Sequence, residues 1–315
     1  MIRRGFIGLG LATAFATGWT SWRAARNDAQ AEADYPPLGR ILDVNGVPVH
    51  VLTLGSGPPF VMIHGAGGNM RDFTLSLAGQ MAATNTVVLF DRPGHGYTGT
   101  IHNRGESPTE QAALLAAALG QIGIKRAIIG GYSIGGAVAL AWALNHPQTA
   151  AGLLLMNAVS NPWEIPPSYL YDLAAGRLTG PVFNASVSAF TPQSMIEDTL
   201  TSIFAPNPVP PGYVDHIGIG LSVRRSQLTA NGRQVTTLLP HIKEQSKKYP
   251  ALKLPIEMIT GAQDVSIPPE IHAEQLIKQV PHATYVKVPG VGHSTHHYAQ
   301  TEVLAALGRL TCTFD

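Results

Sequence analysis

The chain reads as an α/β protein, a mostly parallel sheet covered by helices on both faces and interrupted by one long insertion. Three observations carry this reading. Short all-apolar runs alternate with helical spacing from residue 60 onward. An Asn-Gly pair between two apolar stretches, Arg40–Val44 and Val47–Leu54, opens the body with a hairpin signal. Glycine-rich turns stand at the ends of several apolar runs, where an α/β sheet places its loops.

At 315 residues the chain holds one large domain or two modest ones, and with 45% hydrophobic and only 13% charged residues its body is compact rather than disordered. The formal net charge is +1, and four arginines against two acidic residues in the first 33 account for the excess. A near-neutral body without a basic stripe argues against nucleic acid as a partner. The single cysteine, Cys312, excludes an intrachain disulfide, and no motif around it suggests a nucleophile.

Residues 1–33 read as a signal peptide or membrane anchor. Arg3 and Arg4 precede an uncharged run over 5–22, a basic start before an apolar stretch. Arg3-Arg4-Gly5-Phe6-Ile7 resembles a twin-arginine export signal, and Ala31-Glu32-Ala33 offers a small-x-small cleavage site. Export with cleavage is favoured over an uncleaved anchor, and a cytoplasmic location is the least supported; arginines at both ends of the run leave orientation open. Residues 33–40, with Pro36 and Pro37, read as an extended linker.

Beyond the hairpin, strands are expected at 60–63, Thr86–Phe90, 127–130 and 152–156, with helices at 72–83, 109–122 and Ile134–Asn145 between them. After the insertion come a strand at 256–260, a helix at 268–280, a strand at Thr284–Val288 and a helix at 298–310. The body is thus core over 34–160 and 253–315, with 161–252 inserted. The insertion breaks the strand–helix rhythm, is rich in Pro and aromatic residues, and contains helical spacing at 194–203 and 234–248. So long a departure carries structure of its own, read here as a helical cap over the C-terminal edge of the sheet.

Four stretches carry chemistry. Gly131-Tyr132-Ser133-Ile134-Gly135-Gly136 follows an apolar strand and opens a helix, the setting of a Gly-x-Ser-x-Gly nucleophile elbow. Ser133 is the candidate nucleophile, and the amide of Ile134, at a helix N-terminus, a candidate oxyanion donor. His64-Gly65-Ala66-Gly67-Gly68 ends the strand at 60–63 and offers the amide of Ala66 as the second donor, with His64 holding the loop. Asp264, in Gly261-Ala262-Gln263-Asp264, is a carboxylate on a loop leaving a strand; the rival position after 152–156 carries Asn157 and no acid until Glu164. Among 12 histidines, His293 stands just past the last strand behind Gly290-Val291-Gly292, in the order Ser, Asp, His. His293, His296 and His297 are not expected to hold a metal, because no carboxylate or cysteine joins them at ligand-like spacing. Asp91-Arg92-Pro93-Gly94-His95-Gly96 is read as a turn packing under the site.

Together these stretches resemble the α/β-hydrolase superfamily, in its cap-bearing branch of serine hydrolases, over about residues 39 to 311. The resemblance implies an eight-stranded sheet with a helical cap after the sixth strand. Ser133 at the elbow disfavours the dehalogenases and epoxide hydrolases of that branch, which use a carboxylate. The implied activity is cleavage of carboxylic esters of small to medium apolar substrates through an acyl-enzyme, with no cofactor needed. Tyr132 beside the nucleophile and Trp163 in the aromatic cap are the candidate substrate contacts, whereas Arg177, Arg224, Arg225 and Arg233 would suit an acidic substrate instead. Carbon–carbon bond hydrolysis or perhydrolysis on the same triad, and a non-catalytic ligand-binding protein of the same fold, are the alternatives. The oligomeric state is left open.

Overall fold

A computed structural model of the chain describes residues 2–164 and 167–313, with side chains from residue 16 onward. Eight strands form one sheet: β1 (Arg40–Val44), β2 (Val47–Leu54), β3 (Pro59–Ile63), β4 (Thr86–Phe90), β5 (Ala127–Tyr132), β6 (Ala150–Met156), β7 (Ile256–Gly261) and β8 (Thr284–Val288). Their order across the sheet is β1-β2-β4-β3-β5-β6-β7-β8. The β1/β2 and β2/β4 pairs are antiparallel and all the others parallel.

The alternation of side chains along each strand explains why both faces are apolar. Val61 and Ile63 of β3 point to one face with Ile129, packing against Leu115 and Val138 of helices Pro108–Gln121 and Ile134–Asn145. Phe60 and Met62 point to the other face with Ile128, packing against Leu307 and Leu310 of helix Gln300–Thr311. The hairpin forms at Asn45-Gly46, both with positive φ (54° and 83°), as a two-residue turn of the favoured hand requires.

Local differences from the sequence reading have visible causes. The helix expected at 72–83 is two short helices, Arg71–Thr74 and Leu77–Met81, because Ser76 leaves helical geometry at φ −153°. The helix expected at 268–280 is regular only over Ala273–Gln279. Between β6 and β7 lie helices Tyr169–Ala175, Gly180–Phe190, Gln193–Phe204, Tyr213–Ile217, Ile219–Ser222 and Arg225–Ser246. The last starts nine residues earlier than the spacing at 234–248 suggests. Gly232 is there for contact: a Cβ would meet the carbonyl oxygen of Tyr171 at 2.9 Å, where helix Tyr169–Ala175 crosses.

The N-terminal segment is a helix, Ile2–Asp34, which takes in the first two residues of the expected linker; 35–39 lie outside helix and strand. Its second half is docked on the cap. Ala24 packs with Ala185 and Ala189. Asn27 donates to the Ser188 carbonyl at 2.8 Å, Asp28 pairs with Arg225 at 2.7 Å and Glu32 with Arg224 at 2.7 Å. The side chains of Arg3 and Arg4 lie outside the described residues. Among the described residues no helix is long and apolar enough to cross a membrane. A cavity of about 710 Å³ opens between this helix and the cap, lined by Asn184, Arg225 and Arg233 among others and by none of Ser133, Asp264 or His293.

Candidate active site

Four parallel strands deliver the candidate residues to one edge of the sheet. Ser133 follows β5, Asp264 follows β7, His293 follows β8 and the 64–68 loop follows β3. Ser133 sits at φ 54° and ψ −121°, a conformation a non-glycine residue adopts at a cost of about 1–3 kcal/mol. The neighbouring glycines make that turn possible. A Cβ on Gly131 would stand 2.3 Å from the Gly135 carbonyl oxygen, and one on Gly135 would stand 2.1 Å from that of Ile63. Helix Ile134–Asn145, which the turn opens, is apolar and buried all round, so the serine rides on a rigid element.

Asp264 is buried and fully committed as an acceptor. Its Oδ1 takes the backbone N–H groups of Ser266 and Ile267, both at 2.9 Å. Its Oδ2 takes Nδ2 of Asn157 at 2.7 Å and Nδ1 of His293 at 2.8 Å. Because a carboxylate only accepts, Nδ1 of His293 carries the proton and Nε2 is left with a free lone pair. The imidazole packs on the ring of Tyr132, the residue before Ser133, with ring centroids 4.9 Å apart. Asn207 of the cap holds its loop, donating to the Gly290 carbonyl at 3.0 Å and accepting from the Gly292 N–H at 3.1 Å.

The 64–68 loop closes over the serine: a Cβ on Gly65 would lie 3.1 Å from Cβ of Ser133. Neither the Ala66 nor the Ile134 amide donates to a protein group among the described residues. His64 accepts from the Arg92 N–H at 2.9 Å through Nε2 and donates to the Gly65 carbonyl at 2.9 Å through Nδ1. Burial, reinforced by the Arg92 charge, pulls its pKa down to about 4, so it is a neutral strut. Arg92 lies beneath, fully buried, donating to Gly65, Gln111 and Gln234. The 91–98 turn therefore packs under the loop.

The candidate substrate contacts belong to different apolar clusters. Tyr132 is buried, its ring between His293 and His296 (centroids at 4.9 and 4.1 Å). Trp163 is half-buried against the cluster containing Ile134 and Ala137, beside the candidate oxyanion donor. Of the cap arginines, Arg224 and Arg225 are taken by Glu32 and Asp28 of the N-terminal helix.

Sequence reasoning passed over several residues that the structure brings to this edge. Asn157 was set aside for lacking a carboxylate, yet it bonds Asp264. Gln227 donates to the carbonyls of Gly67 and Gly68 (2.9 and 3.2 Å), and Asn231 accepts from the Gly67 N–H at 2.9 Å. With Gln234 they occupy i, i+4 and i+7 of one helix face, a polar stripe that was legible in principle. The expectation that no carboxylate joins the histidines after 293 is corrected: Asp72 meets His296 and His297 at 3.1 and 3.0 Å. It escaped because proximity across more than two hundred residues leaves no spacing to read.

A strained serine between strand and helix, a carboxylate–imidazole pair and two undonated amides at one sheet edge define the class as an α/β-fold hydrolase. The chain belongs to the alpha/beta hydrolase family, whose model matches residues 60–307. Among its relatives is the dihydrolipoyllysine-residue acetyltransferase component of the acetoin cleaving system of Cupriavidus necator, 32% identical over 133 residues. That match spans 42% of this chain and only 35% of the relative. The 2-hydroxy-6-oxo-6-phenylhexa-2,4-dienoate hydrolase of Burkholderia cepacia is 25% identical over 84% of this chain and 90% of its own length. In fold the chain is similar to the crystal structure of a bacterial membrane phospholipase A, with a TM-score of 0.65 and 20% identity over 98% of this chain and 99% of that one.

Proposed function

We propose that the protein is a serine hydrolase of carboxylic esters with apolar acyl groups, acting through an acyl-enzyme. The observation that carries the reading is the Asp264–His293 hydrogen bond of 2.8 Å, which fixes the tautomer whose free Nε2 serves as a base beside the Ser133 elbow. In this mechanism Nε2 takes the Ser133 proton as Oγ attacks the ester carbonyl carbon. The amides of Ala66 and Ile134 receive the oxyanion, each worth about 2.7–4 kcal/mol in the transition state. His293 then passes the proton to the leaving alkoxide, releasing alcohol. Water repeats the cycle on the acyl-Ser133, releasing acid and the free hydroxyl.

The apolar preference rests on Trp163 and the aromatic cap, and on the pairing of Arg224 and Arg225 within the fold. Turnover of p-nitrophenyl esters by the wild type and by Ser133→Ala tests the reading. Loss of at least about a thousandfold in the variant is expected; wild-type turnover in the variant overturns it. The relative from Burkholderia cepacia, named for a dienoate substrate, favours carbon–carbon bond hydrolysis as the second reading. Low ester turnover with rapid cleavage of a vinylogous diketone selects that one.

We further propose that the chain is exported or held at a membrane through its first residues, with helix Ile2–Asp34 retained rather than cut. Ala31 is buried in a folded helix and Glu32 is paired with Arg224, so the 31–33 site is closed once the cap has formed. The intact mass of protein recovered from each fraction of cells expressing the full chain tests this. Retention of residues 1–33 in the membrane or exported fraction supports it; a mature N-terminus at 34, or recovery in the cytoplasm alone, overturns it.

A further inference from the structure

Behind the nucleophile elbow lies a second cluster of polar groups that the proposed hydrolysis does not use. Asp72, in helix Arg71–Thr74, points its two oxygens at two imidazoles of helix Thr295–Tyr298: Oδ2 at Nε2 of His296 (3.1 Å) and Oδ1 at Nε2 of His297 (3.0 Å). Tyr213, on cap helix Tyr213–Ile217, donates its hydroxyl to Oδ1 at 2.9 Å. The walls are aromatic. Tyr132 and Phe73 face His296 at ring-centroid distances of 4.1 and 5.6 Å, and Phe204 faces His297 at 5.5 Å.

His296 is buried and His297 half-buried, and the Asp72 carboxylate that joins them is buried too. Among the described residues its only ion-pair partners are those imidazoles, and the adjacent Arg71 turns away to the Pro36 carbonyl. Buried charges in proteins are paired or coordinate metals.

We propose that Asp72, His296 and His297 form a binding site for a divalent transition metal, Zn²⁺ foremost. The three candidate ligand atoms all lie within 4.8 Å of one another. Nε2 of His296 lies 3.1 Å from Oδ2 and Nε2 of His297 lies 3.0 Å from Oδ1, so an ion between the three side chains would meet both carboxylate oxygens. Two imidazoles select zinc or a neighbouring transition metal over Ca²⁺ or Mg²⁺, which prefer all-oxygen shells. The Tyr213 hydroxyl remains on Oδ1 as the outer partner that orients the carboxylate. On binding, each imidazole moves its proton from Nε2 to Nδ1 and gives the freed Nε2 lone pair to the metal. The ion would clamp the turn after His293 to helix Arg71–Thr74 and, through Tyr213, to the cap.

The test uses the untagged full-length protein and needs no hydrolytic assay. Protein stripped with a chelator should take up one equivalent of Zn²⁺, with Tm rising by several degrees at about a hundredfold excess over Kd. Co²⁺ in its place should give the intense visible bands of a low-coordinate site. His297→Gln, which keeps the side chain's bulk, should lose the equivalent and the bands, and so should Asp72→Asn. If the folded wild type binds less than about a tenth of an equivalent and shows no Co²⁺ bands, the proposal is wrong. It is equally wrong if His297→Gln binds as much metal as the wild type, since the ion then sits elsewhere.

Discussion

Asn157→Asp sets a second carboxyl group against Asp264. The two side chains meet at 2.7 Å with both residues essentially out of solvent. Two full charges at that separation repel by about 6 kcal/mol at an effective dielectric constant of about 20, more than four pK units. The variant's pair therefore keeps one proton through neutral pH and titrates as a unit. That shared proton does what the Asn157 amide does, donating to Oδ2, while the other introduced oxygen still accepts from the Thr295 N–H and hydroxyl. Near pH 4 the variant should hold close to wild-type stability. The introduced group has a folded pKa raised above its unfolded value of about 3.9, so the folded state alone holds the proton between the two. Stability relative to wild type is thus fully present below about pH 4 and is lost as pH rises, by up to about 4 kcal/mol at pH 7. Thermal unfolding of both proteins at half-unit intervals from pH 4.5 to 8.5 is the assay. A widening gap in Tm towards high pH is expected; a gap independent of pH would refute the buried contact between 157 and 264.

Three further outcomes follow from the same geometry. Gln227→Ala releases the carbonyls of Gly67 and Gly68 from the cap and loosens the loop carrying the Ala66 amide. Ester kcat should fall by about tenfold or more with KM little changed, because the donor acts in the transition state; an unchanged kcat would show that the loop holds itself. His64, His272 and His296 all have pKa values lowered to about 4, chiefly by burial. Their neutral forms stabilise the fold fully above about pH 6.5, and that contribution is lost as pH falls towards 4, so Tm should drop by many degrees between pH 6.5 and 4. A flat Tm over that window would mean the three rings are solvated. Arg224→Ala removes the ion pair with Glu32 and should lower Tm by a few degrees while raising protease cleavage between residues 31 and 40; unchanged cleavage would mean the helix docks without it.

Much of the fold was legible because burial on both faces forces parallel strands into short apolar runs, and the punctuation between them is glycine. Thr86–Phe90, Ile134–Asn145 and Thr284–Val288 were read to the residue, as was the Asn45-Gly46 hairpin. The candidate residues Ser133, Asp264 and His293 were legible for a related reason: each stands within a few positions of a strand end and inside a glycine-marked turn. What stayed hidden depends on contacts between remote segments. Asn157 matters through the group it touches and not through its own charge. Asp72 becomes a partner of His296 and His297 only when helix Arg71–Thr74 is laid against the final loop. Helix Ile2–Asp34 carries the composition of a leader, and nothing local in it announces Arg224 and Arg225 as partners. Helix Arg225–Ser246 was read only over 234–248, and with its first turns went Gln227, which ties the cap to the 64–68 loop.

The most direct measurement is reaction of the folded protein with a fluorophosphonate, followed by peptide mass spectrometry. The expected result is one adduct per chain on Ser133, absent in Ser133→Ala and formed at least about a thousandfold more slowly in His293→Ala. Folded wild-type protein that stays unlabelled, or carries the adduct on another residue, would contradict the assignment of Ser133 as a nucleophile activated by His293.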